Sequence, residues 1–185
     1  MRPLSRPERE EKKMSCLYER TLDPLDAVTA WTVFGNDTIN LATTNRRVRG
    51  LKAMEFDKVN GAANKTYAGA SRAVAFDLSP VNTLSELAWH VYLSSIAAVA
   101  YAWLRLGTDA ANYVEYRYAD TLLTAGVFTY CHRPLYQFDA IAGTCCAFDT
   151  ITYMDVGVEF DAETDALADI AIDHIEIIPA MMTRS

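Results

Sequence analysis

The chain has 185 residues, with 17 basic against 24 acidic side chains and a net charge of −7. Hydrophobic residues make up 51% and charged residues 22%, which suits one domain with a substantial core. The acidic balance repels phosphate and excludes a general nucleic-acid binder. The eight glycines form neither a GxGxxG nor a GxxxxGK phosphate loop.

Residues 1–20 stand apart. They carry six basic and four acidic side chains, a charge of +2, whereas the remaining 165 residues carry −9. Pro3 and Pro7 interrupt regular structure, and few apolar side chains are available to bury. Such a segment cannot offset its own ordering entropy, so the sequence predicts an arm that orders against a partner. Leu4, Met14, Leu17 and Tyr18 are its candidate anchors, and Arg2, Arg6 and Arg9 its candidate ion-pair donors. Residues 21–185 form the predicted folded domain.

That domain reads as strands. Turn signals recur at Asn36-Asp37, Asn60-Gly61, Ser79-Pro80, Gly107-Thr108-Asp109, Ala125-Gly126 and Ala142-Gly143. Between them runs period-two alternation. Leu51, Ala53 and Glu55 alternate with Lys52, Met54 and Phe56; Val74, Phe76 and Leu78 alternate with Ala73, Ala75 and Asp77. Leu87, Trp89, Val91 and Leu93 share one face, with Ala88, His90 and Tyr92 on the other. Ala102, Leu104 and Leu106 oppose Tyr101, Trp103 and Arg105. Residues 112–118 (NYVEYRY) are rich in strand-favouring aromatics, and 150–160 alternate again. The last segment sets Ile170, Ile172, His174, Glu176 and Ile178 against Ala171, Asp173, Ile175 and Ile177. Only 162–168 suggests a helical turn. This pattern predicts an all-β, two-sheet antiparallel sandwich of jelly-roll type.

The segments Asp77-Leu78-Ser79, LAWHVYLSS (87–95), LRLGTDAANYVEYRY (104–118) and IAIDHIEI (170–177) carry a resemblance. In order and spacing they resemble carbohydrate-binding-module-like jelly rolls of tailed-bacteriophage virion proteins, over roughly residues 28–178. The resemblance implies a non-enzymatic virion protein, a capsid decoration or cement protein assembled in the host cytoplasm. It would bind the major capsid protein or other virion proteins in many copies, through arm and sandwich. The alternative is a carbohydrate-binding module that holds host glycans. A fold of this kind hosts several functions, so the site must decide.

Three candidate sites emerge. Tyr101, Trp103, Arg105, Tyr113, Glu115 and Arg117, with His90 and Tyr92, would give one sheet an outer face of aromatics interleaved with charges. Sugars stack CH faces on such rings, and protein partners anchor on them; the number of rings favours the opposite reading, which makes them core. Gly107-Thr108-Asp109 with Asn112 reads as a structural turn, with a calcium loop as the other reading. Asp173, Asp23 and Asp26 are further calcium candidates by the resemblance, and no other cofactor is expected. The carboxylates Asp155, Glu159, Asp161, Glu163, Asp165 and Asp169 read as a solvated acidic loop rather than a glycosidase pair.

Catalysis has little support. GxSxG and HExxH are missing, and Cys131 and His132 are strand neighbours whose side chains point to opposite faces. Cys16, Cys131, Cys145 and Cys146 offer no CxxC spacing for zinc. Reduced, partly buried thiols are expected, with a Cys131–Cys145 or Cys131–Cys146 bridge as the alternative. The N-terminus lacks the apolar core of a secretion signal, and the strongest apolar stretch, 96–106, is too short to span a membrane.

Overall fold

A computed structural model describes residues 20–34, 37–79, 81, 84–144, 148 and 150–178. Residues 1–19 of the predicted arm therefore lie outside the described residues, as do Cys145 and Cys146, and Arg20 already belongs to the first strand. Twelve strands follow in chain order: β1 (Arg20–Asp23), β2 (Thr32–Val33), β3 (Thr38–Thr44), β4 (Ala53–Lys58), β5 (Tyr67–Phe76) and β6 (Glu86–Tyr92). After them come β7 (Val99–Asp109), β8 (Asn112–Ala119), β9 (Phe128–Pro134), β10 (Ala140–Ala142), β11 (Ile151–Phe160) and β12 (Leu167–Ile178). One 3₁₀ turn, Asp120–Leu122, is the only helical element among the described residues. None of these residues forms a helix long and apolar enough to cross a membrane.

The strands form two antiparallel six-stranded sheets packed as a β-sandwich. The first runs β3-β4-β12-β6-β9, with β1 also paired to β12; the second runs β10-β8-β7-β11-β5-β2. The core is the set of residues that the alternation assigns inward. Leu87, Trp89 and Val91 of β6 share one core cluster with Ala102, Leu104 and Leu106 of β7, all essentially inaccessible. Met54, Phe56, Met154, Val156, Val158 and Tyr116 complete the layer. Each buried aliphatic or aromatic side chain contributes roughly 1.5–3 kcal/mol. Tyr116 reaches through the core to donate its hydroxyl to Leu135 O at 2.6 Å, which pins the chain after β9.

One alternation breaks. Ile170 and Ile172 point inward as expected, but Ile175 and Ile177 are the next core residues, not His174 and Glu176. The register with β6 shifts between Asp173 and Glu176, and His174 has φ +48°. This is a β-bulge: one extra residue inverts the phase and leaves Asp173, His174 and Glu176 all outside the core layer.

Side-chain carboxylates tie down the loops. Asp26 accepts from Leu51 N (2.5 Å) and Lys52 N (2.7 Å), and Asp173 accepts from Val48 N (2.6 Å) and Arg49 N (2.9 Å). Asp23 accepts from Leu25 N at 2.7 Å and pairs with Arg72. Asp109 accepts from Ala111 N and from Asn112 Nδ2, while Asn112 Oδ1 receives Thr144 N. The proposed calcium ligands thus serve backbone amides or neighbouring side chains. No group of three or more His, Cys, Asp or Glu among the described residues is placed to hold a metal.

Cys131 is a free thiol in the core, and burial raises its pKa. His132 projects outward, so no thiol–imidazole pair forms.

Candidate functional site: the outer face of the second sheet

The grouping of eight face residues needs correction. Alternation tells which way a side chain points but not to which sheet its strand belongs. His90 and Tyr92 lie on β6 of the first sheet; Tyr101, Trp103, Arg105, Tyr113, Glu115 and Arg117 lie on β7 and β8 of the second. The two sets face opposite sides of the molecule.

The second sheet gathers more than the six. Directly opposed residues in antiparallel strands share a face. Trp103 pairs with Arg117 on one side and Gly157 on the other; Arg105 pairs with Glu115 and Asp155; Tyr101 pairs with Glu159. Across β11, Gly157 opposes Gly69 and Glu159 opposes Tyr67 of β5.

Two facing glycines make a trough. A Cβ on Gly157 would strike the Trp103 ring and Ala68 O, and one on Gly69 would lie 3.1 Å from the Phe34 ring. The indole fills the space over Gly157 and is fully buried although it points away from the core. Tyr101 and Tyr67 stand edge-on to it at 6.3 and 6.1 Å, and Phe34 stands edge-on to Tyr67 at 6.1 Å. Trp103 is therefore the base of an aromatic row; Tyr67 and Tyr101 are its half-exposed surface. Gly157→Ala should displace the indole and cost about 1–3 kcal/mol by overpacking. A thermal unfolding curve superimposable on wild type would refute that account of the trough.

A charged network crosses the row. Arg105 stacks over Trp103 (4.6 Å) and Tyr113 (4.7 Å), and its Nε donates to Glu115 Oε2 at 2.5 Å. Arg117 stacks over Tyr101 at 4.6 Å and donates to Glu115 Oε1 at 2.5 Å. Asp155 accepts from Trp103 Nε1 (2.9 Å) and Tyr153 Oη (2.8 Å), with Arg105 Nη1 3.7 Å away. Burial drives the Asp155 carboxyl up to about 6, while Arg105, Tyr153 and Trp103 pull the other way. Burial lowers the Arg105 pKa, but Asp155 and Glu115 more than offset this, so its pKa is raised and it stays charged. Burial, then Glu159, raises the Tyr101 phenol.

The result is a preorganised surface. Partly exposed phenol rings lie beside guanidinium and carboxylate groups fixed by two or more partners each. Rings offer flat apolar faces; the charged groups offer directed donors and acceptors. Five participants, Phe34, Tyr67, Tyr153, Asp155 and Glu159, were not among the face residues read from sequence. The strands of the last four alternate legibly, but only register places them beside Tyr101, Trp103 and Arg105. Asp155 and Glu159 also leave the acidic cluster for this face; Asp161 and Glu163 stay in an exposed turn.

No protein-family profile matches the sequence, and no curated protein matches it. Solved structures do. A family 11 carbohydrate-binding module from Clostridium thermocellum, in complex with a β-1,3-1,4-mixed-linked tetrasaccharide, superposes with a TM-score of 0.59 at 12% identity, over 88% of this chain and 96% of that one. A family 30 module of a cellulosomal cellulase of that organism gives 0.58 at 10% identity, over 89% and 99%. An exo-β-agarase gives 0.56 at 11% identity, over 87% of this chain and 25% of the enzyme. At such identities the likeness establishes the jelly-roll fold. Nothing in it links the chain to bacteriophage virion proteins, so the decoration or cement reading has no support here.

Proposed function

We propose that this chain is a carbohydrate-binding module that holds a glycan on the outer face of its second sheet. The observation that carries the reading is the row of half-exposed tyrosines over the buried Trp103, crossed by the Arg105–Glu115–Arg117 and Asp155 network. A sugar ring has an apolar CH face and a polar rim, and this surface pairs flat rings with fixed donors and acceptors. The carbohydrate-binding modules among its structural neighbours support the same reading. It replaces the capsid role expected first and takes up the alternative. Binding requires no bond-breaking chemistry, and the buried carboxylates here are engaged in holding arginine, tryptophan and tyrosine side chains.

The test is affinity electrophoresis of the full chain through gels containing mixed-linked β-1,3-1,4-glucan, soluble cellulose derivatives, xylan or agarose. Retardation is expected in at least one. Tyr101→Ala with Tyr153→Ala should weaken it about tenfold or more, near 1.4 kcal/mol. An unretarded wild-type chain in every gel would overturn the reading.

A further inference from the structure

We infer that the outer face of the first sheet is a second carbohydrate-binding surface, back to back with the first; this rests on the function just proposed. Here β6 and β9 lay five rings side by side. Register opposes His90 to Tyr130 and Tyr92 to Phe128, with ring centroids 5.1 and 5.7 Å apart. Tyr130 and His132, two apart on one strand, lie 5.3 Å apart with planes within 20°. All three histidines of the chain, His90, His132 and His174, lie on this side of the sandwich, away from the core.

The patch is reachable and walled. β9 is the last strand of its sheet, and Tyr130 is 38% exposed, with the His132 side chain at 45%; Tyr92 and Phe128 are half-buried, and His90 is buried as the base of the patch. On the other side, Asp173 sits directly opposite His90 and binds the amides of Val48 and Arg49. The 45–51 segment therefore lies against the sheet and bounds the rings along β12.

The chemistry repeats that of the second sheet. There, Arg117 covers Tyr101 and pairs with Glu115. Here, Arg46 covers Tyr92 at 4.1 Å and pairs with Glu55 at 3.1 Å. Glu86 accepts from His132 Nδ1 at 3.1 Å at the patch edge, and both remain half-exposed. Protein partners anchor on tryptophan, tyrosine and arginine side chains packed into desolvated pockets. These rings are instead flanked by polar groups, which matches a flat, hydroxylated ligand with CH faces.

Two faces pointing in opposite directions make a bivalent module, which gives a signature that no single site produces. Wild-type protein, shown monomeric by gel filtration, is mixed with whichever soluble polysaccharide retards it and followed by turbidity and sedimentation. Cross-linking is expected, because each molecule bridges two chains. Tyr130→Ala with His132→Ala should abolish cross-linking while leaving retardation. Tyr101→Ala with Tyr153→Ala should also abolish cross-linking and leave weaker retardation, and all four changes together should remove both. Unchanged melting curves show that the variants fold.

If the Tyr101/Tyr153 pair alone abolishes all retardation, the first sheet binds nothing and this inference fails while the proposed function stands. If the Tyr130/His132 pair alone abolishes it, the inference survives and the assignment to the second sheet fails. A wild-type chain retarded by no polysaccharide overturns both.

Discussion

Replacing Lys58 by methionine is expected to destabilise the sandwich by about 3–5 kcal/mol. Lys58 is the last residue of β4 and is 1% exposed. Its Nζ donates to Val59 O at 2.7 Å and to Glu163 O and Asp165 O at 3.1 Å each. An ammonium group has three donors, and each finds a backbone carbonyl. Two of those carbonyls belong to the turn between β11 and β12, one strand from each sheet, so the side chain closes one end of the sandwich. Methionine keeps the stem and removes every donor, leaving three carbonyl oxygens without their partner. In a chain of this size the melting temperature should fall on the order of 10 °C. Lys58→Arg should not restore it, because a planar guanidinium cannot address three oxygens placed around a compact ammonium. A fall of less than about 2 °C for the methionine variant would mean that water replaces the ammonium at little cost.

The fold was largely legible in the sequence because burial in a sandwich follows period two. Alternation alone groups Leu87, Trp89 and Val91 on one face and Ala102, Leu104 and Leu106 on another, and these two faces form the centre of the core. The phase error at His174 comes from a bulge, where backbone conformation rather than side-chain type sets direction. The site was legible only by halves. Tyr101, Trp103, Arg105, Tyr113 and Arg117 are close in sequence because β7 and β8 are successive paired strands. Tyr67, Tyr153 and Asp155 come to them through β11, which is inserted between β7 and β5. That insertion is a long-range pairing that no local pattern records. His90 and Tyr92 were joined to the wrong face for the same reason: the short connection from β6 to β7 crosses from one sheet to the other. Trp103 shows a further limit. Alternation sets it on the face opposite Leu104 but not which face is buried, and its complete burial depends on two glycines, Gly69 and Gly157, that lie far away in sequence and face each other only in the sheet.

Asp155→Asn is expected to remove a pH dependence from both stability and the proposed glycan binding. Burial holds the Asp155 carboxyl at about 6 in the folded chain against an ordinary value of 3.8. A carboxyl raised on folding favours the folded state only while protonated. Its contribution is fully present below about pH 4 and is lost as pH rises through about 6, a difference of about 3 kcal/mol. His90 works in the opposite sense. Burial lowers its pKa from 6.5, so its contribution is present above that pH and lost as pH falls. Wild-type stability alone therefore mixes the two, and the informative quantity is the difference between wild type and variant. Urea unfolding at pH 4.5 and 7.5 should show the asparagine variant gaining on wild type by about 1–3 kcal/mol at the higher pH. Asparagine keeps an oxygen for the Trp103 N–H, and Glu115 still holds Arg105. On the binding side, protonating Asp155 removes one of the two carboxylates beside Arg105 and turns one acceptor for Tyr153 into a donor. Polysaccharide retardation by wild type should weaken as pH falls through about 6, whereas the variant should show no step there. Equal pH profiles for the two proteins in both measurements would show that Asp155 does not titrate in this range and that the network is held by Glu115 alone.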